Sequence, residues 1–140
     1  ENQWARELLI KYPPKKITGT YYKVETHSLC LAEVLFAEQK NEDALEHLVY
    51  RNFENVNYSI LADILLIKIY YETKNELLES RISALGQKVR RSKLTQANKK
   101  QYLNFLTIIT QIVKFRWLKD KKIKMRTIGR CTTVNIISSL

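Results

Sequence analysis

The pentapeptide Glu38-Gln39-Lys40-Asn41-Glu42 returns 34 residues later as Glu72-Thr73-Lys74-Asn75-Glu76, with four identities in five. The same shift sets Leu31 on Leu65, Leu35 on Ile69, Phe36 on Tyr70, Ala44 on Leu78 and Leu48 on Ile82. Residues 15–118 contain no proline, and their apolar residues recur at helical rather than alternating spacing, which marks amphipathic helices and not strands. These features predict an all-α chain of repeated units, each a long helix, a tight turn and a shorter helix. A two-helix unit of this size cannot bury both apolar faces by itself, so the copies must stack.

Walking the chain places the helices. Residues 2–12, with Trp4, Leu8, Leu9 and Tyr12, form a short helix that Pro13 and Pro14 stop, because proline lacks the N–H that a helix interior needs. Helices at about 21–39 and 41–51 make the first unit. Asn52 to Asn57 reads as a loop, and Asn57 is the expected cap of a helix at about 58–73. Between Ile60 and Tyr71 only Asp63 and Lys68 are charged. A helix apolar nearly all round is buried by neighbours on more than one side, as the central helix of a stack would be. A helix at about 75–91 completes the second unit (about 58–91, after a first of about 21–52), and Thr95 caps a closing helix at about 96–118. The expected domain is 1–118. The remainder, 119–140, is a basic segment followed by a Thr/Ile/Ser-rich tail that reads as strand-like or disordered.

Charge divides the chain. The formal net charge is +10, yet residues 1–86 carry −3 and residues 87–140 carry +13 with Asp120 as their single acid. Such asymmetry hints at nucleic acid, an anionic surface or an acidic protein as partner. The candidate basic patch is Lys88, Arg90, Arg91, Lys93, Lys99 and Lys100; the same residues also suit a solvated helix end, where cations complement the helix dipole. Aromatics interleaved with these cations are few, which speaks against base stacking. The longest uncharged run, Gln101 to Val113, has 13 residues, fewer than the roughly 18–20 that cross a bilayer. The chain begins with Glu1 and not Met, so it reads as a fragment or a processed chain. Two cysteines, Cys30 and Cys131, make no disulfide framework, and a reducing, cytoplasmic setting is expected.

The 34-residue period and its pattern resemble the tetratricopeptide repeat. Its signature positions fall here on Leu31, Ala32, Leu35 and Leu48, with Ala44 as the small residue of the second helix, and again on Leu65, Leu66, Ile69, Leu78 and Ile82. The match is degenerate over about 25–91. Ser28 and Ala62 stand where the family has Trp, Val56 and Arg90 where it has Pro, and Leu66 at a position that is usually Gly. The runs Ile64 to Glu72, Arg90-Arg91 and Tyr102 to Leu106 also look like helical repeat-like proteins of bacteria. The resemblance implies a right-handed α-solenoid of antiparallel helix pairs, whose first helices line a concave face.

On that face it sets Glu33, Phe36, Asp63, Ile67, Tyr70 and Tyr71. An apolar and aromatic groove edged by two carboxylates favours an apolar or basic segment, often a helix laid in a groove. The alternative is that Phe36, Tyr70 and Tyr71 only pack against adjacent helices. Leu29 and Glu33 stand where the family's carboxylate-clamping members carry Lys and Asn, so that mode is not expected.

Sites for chemistry are sparse. His27 and Cys30 lie three apart, but two ligands make no metal site, and Cys30 reads as an inert buried thiol. Glu42, Asp43 and Glu46 suit the solvated start of a helix. The expectation is a non-enzymatic protein-interaction scaffold without metal or cofactor. Nucleic-acid or anionic-surface binding through the basic third is the alternative, and self-association through the stack ends is a further route.

Overall fold

The computed structural model describes residues 2–16 and 22–138, with side chains up to residue 126. The elements are α1 (Gln3–Lys11), a 3-10 turn (Pro14–Lys16), α2 (Lys23–Ala37), α3 (Asn41–Val49), α4 (Val56–Glu72), α5 (Leu78–Arg91) and α6 (Gln96–Ser138). The chain is all-helical, with no strand among the described residues. Residues through Lys99 make one compact unit, and those from Lys100, on α6 as far as Ser138, a second.

In the first unit α2 packs on α1, α3 and α4, and α4 packs on α2, α3 and α5. The all-round apolar sequence of α4 follows from this three-sided contact. Ile60, Ile67 and Ile69 have no exposed surface, and Leu65 and Leu66 almost none. Each such side chain contributes about 1.5–3 kcal/mol of transfer free energy. From α2 and α3 the core receives Ala32, Leu35, Ala44 and Leu48, and from α5 Leu78, Leu85 and Val89. By contrast α1 buries no residue. Polar contacts tie it down: Arg6 Nη1 donates to Glu38 Oε2 at 3.1 Å, and His27 Nε2 donates to the Leu9 carbonyl at 2.9 Å.

Both long helices of this unit end in the same left-handed turn. Gln39 has φ 63° and Lys74 φ 53°. Beyond them, Lys40 N donates to Leu35 O and Asn75 N to Tyr70 O, both at 2.9 Å, the six-to-one bond of a Schellman cap. The backbone thus matches Gln39 to Lys74 and Leu35 to Tyr70, a shift of 35, whereas the side-chain identities align at 34. The turns also differ in length, since α3 starts directly at Asn41 but α5 only at Leu78. There Asn75 Oδ1 accepts from Leu77 N at 2.8 Å and holds an extra bend.

Two boundaries in particular differ from expectation. The cap of α4 is Asn55, not Asn57: Asn55 is extended, and its Oδ1 accepts from Asn57 N at 2.9 Å and Tyr58 N at 3.3 Å. A partner distant in sequence fixes that start, because the buried Glu25 carboxylate of α2 accepts from Glu54 N at 2.7 Å and Asn55 N at 3.4 Å. Thr95 does cap α6, accepting from Asn98 N at 3.3 Å. That helix does not stop at 118 but continues through the basic segment 119–126, where Lys, Arg and Met are good helix formers and neither glycine nor proline intervenes. The backbone stays helical on to Ser138, so the tail from Thr127 is not strand-like or disordered there as expected; its side chains lie outside the described residues.

Candidate functional site

The α4 residues assigned to a groove are mostly core. Ile67 is fully enclosed, Tyr70 is 6% exposed and Asp63 is buried, while Phe36 and Tyr71 are half-buried and Glu33 is exposed. The six therefore form no continuous open face. The reason lies in α4 itself: with neighbours on three sides, the side chains spaced along its apolar surface meet other helices before they meet solvent.

What stays open is a depression of about 450 Å³ lined by Phe36, Ala37, Gln39, Asn41 and Glu72, beside the C-terminal ends of α2 and α4. Its position follows from the left-handed turn at Gln39, which carries the chain from the last turn of α2 directly into Asn41. Asn41 Oδ1 is closed off from solvent and accepts no hydrogen bond. An acceptor left in that state costs about 1–3 kcal/mol. The aligned Asn75 satisfies its own Oδ1 on Leu77 N, so the two turns differ in this one respect. Of the residues around this depression, sequence reasoning found Phe36 and missed Asn41.

Asp63 belongs to a different arrangement. Lys88 Nζ donates to its Oδ2 and also to Ser59 Oγ at 2.8 Å, and Arg81 Nη1 stands 3.7 Å from its Oδ1. These groups line a cavity of about 200 Å³ together with Arg51 and Asn52. A carboxylate this enclosed needs a paired cation, and α5 supplies two. Lys88 is thereby withdrawn from the predicted basic patch. Of the rest, Arg90, Arg91 and Lys93 are exposed, and Lys99 Nζ donates to the Arg90 carbonyl at 3.2 Å. Lys100 belongs to the second unit. On the first unit Arg90, Arg91 and Lys93 are the exposed members of the expected patch.

Cys30, expected to be buried, is exposed at the surface of α2. Even so, crowding of the thiol by neighbouring atoms pushes its pKa up, and the negative charge of Glu33 adds to the rise. His27 is engaged on the Leu9 carbonyl. Among the described residues no three His, Cys, Asp or Glu side chains converge as metal ligands, and no helix is long and apolar enough to cross a membrane.

No protein-family model matches this chain, and neither a curated protein nor a solved structure is significantly similar to it.

Proposed function

We propose that this chain is a non-enzymatic scaffold of tetratricopeptide-like helical repeats that binds a peptide or helix of a partner protein. The two helix pairs α2/α3 and α4/α5, their matching left-handed turns and the contacts of α4 with both helices before it support a solenoid reading. The observation that carries the binding role is the open depression beside Phe36, where a half-buried ring shares the wall with Gln39 and Glu72. Glu72 on its wall and exposed Glu33 on the same helix as Phe36 favour a segment with apolar and basic side chains. The lining is mostly polar with one aromatic ring, so placed polar groups would orient such a ligand and the ring would give it apolar contact. A reducing compartment, the cytoplasm, is the setting we assign, on the strength of a chain with only two cysteines.

The test is selection of peptides from a random display library on the whole chain, followed by titration of the best binder against variants. Phe36→Ala and Glu72→Lys should each weaken it about tenfold, near 1.4 kcal/mol, with the helical circular dichroism unchanged. Equal affinity for wild type and both variants would overturn the assignment of this depression.

A further inference from the structure

We propose that the stretch of α6 from Ile108 to Arg126 is an interfacial helix that lies on an anionic lipid surface. Between Lys114 and Arg126 the sequence holds seven Lys or Arg against the single acid Asp120. On the same stretch Ile108, Ile112, Phe115, Leu118 and Met125 are exposed, Phe115 by 71%. At about 100° per residue these five fall on one side of the helix, within an arc of about 140°. In the last two turns Lys119, Lys122 and Arg126 come into line with that side, so the apolar stripe runs into a cationic end. Trp117 is exposed too but, nine residues from Ile108, stands on the opposite side of the helix, where Lys121 Nζ lies 5.0 Å from the centre of its ring.

Charge and apolarity together select the occupant. A second copy of the helix would set like charges against like if parallel, and if antiparallel would set the cations of 119–126 against the uncharged 104–111, with no counter-charge. A nucleic acid would take the cations but leave Ile108, Ile112, Phe115 and Leu118 in water. An anionic bilayer answers both, with headgroups for the cations and the acyl boundary for the stripe. The helix lies on that surface and does not span it, since no described helix is apolar enough to cross. Laid flat, the stretch covers about 27 Å.

The experiment uses the full chain carrying Trp4→Phe, Trp117→Phe and Phe115→Trp, which leaves a single tryptophan, on the stripe; Trp4 is 68% and Trp117 58% exposed, and both rings can be exchanged without loss of core. Vesicles of phosphatidylcholine with about 30% phosphatidylserine are compared with pure phosphatidylcholine at two salt concentrations. The expected result is co-sedimentation with the anionic vesicles alone, weakened by salt, with a blue shift of the emission from position 115. Joint Ile112→Ser and Leu118→Ser, or joint Lys119→Gln, Lys122→Gln and Lys124→Gln, should each lower partitioning about tenfold or more while helicity stays constant. Equal binding to neutral vesicles, binding to neither, or salt-sensitive binding to RNA without an emission shift overturns the proposal. So does a dimer in which the tryptophan at position 115 is already shielded before vesicles are added.

Discussion

Lys88 of α5 donates to Asp63 of α4, so that the buried acid of the central helix is held by a cation from its antiparallel neighbour. Asp63 is buried, whereas the Lys88 side chain keeps 39% of its surface. Partial exposure of the cation tempers the strength of the pair, but removing one partner still leaves the other uncompensated. Lys88→Met should therefore destabilise the first unit by about 1–3 kcal/mol, toward the lower end because Arg81 remains nearby. Joint Asp63→Leu and Lys88→Met should recover most of that loss, since an apolar replacement of a buried pair is often neutral. Urea unfolding followed by circular dichroism checks both, and a double variant weaker than Lys88→Met alone would contradict the account.

Tyr70 and Phe36 separate packing from binding. Tyr70 is 6% exposed in the core of the first unit, so Tyr70→Ala should cost about 3–5 kcal/mol, as large-to-small core changes do. Phe36 is half-buried, so Phe36→Ala should cost about 1–2 kcal/mol in proportion to the area it hides. Thermal melts of the two variants measure the difference. A Tyr70→Ala protein as stable as Phe36→Ala would return Tyr70 to the surface.

The helices were legible because each α-helix from α2 to α6 carries apolar residues at helical spacing, and Thr95 announced the start of α6 by a purely local bond. The candidate groove was far less so. In a helix apolar all round, periodicity cannot tell which side meets a neighbour, and Asp63, Ile67 and Tyr70 look the same in sequence whether they rim a groove or fill a core. Glu25 escaped notice for a related reason. Its partners, Glu54 N and Asn55 N, lie 29 and 30 residues away, and no local pattern records them. The same bond moved the cap of α4 from Asn57 to Asn55. The 34-residue identities likewise conceal a backbone shift of 35, because similar side chains straddle a turn whose left-handed residue sits one place later in the second copy.

The thiol of Cys30 offers a pH-dependent readout. Desolvation raises its pKa first and Glu33 second. In a Cys131→Ser background, the pH at which Cys30 reaches half its maximal alkylation rate should lie above that of a free thiol. Glu33→Gln should lower that midpoint without restoring the free value. The sign for stability follows from linkage. The folded state holds the proton more tightly than the unfolded chain, so the contribution is complete below the unfolded thiol's pKa and is lost as pH rises through the folded one. A midpoint at or below the free-thiol value would contradict the crowding of this side chain.

Gln39 and Lys74 each hold a left-handed conformation in which a Cβ is unwelcome, at φ 63° and 53°. A non-glycine residue in that region costs about 1–2 kcal/mol, partly offset on exchange because glycine frees the unfolded chain by about 0.5–1 kcal/mol. Gln39→Gly and Lys74→Gly should thus each stabilise the first unit by about 0.5–1 kcal/mol net, and their effects should add, since the two turns share no hydrogen bond. Gln39→Val should do the reverse, because a β-branched side chain crowds a left-handed backbone most. Thermal melts of the single and double glycine variants provide the measurement. Glycine variants that melt below the wild type would show that the side chains of Gln39 and Lys74, not their backbone angles, stabilise these turns.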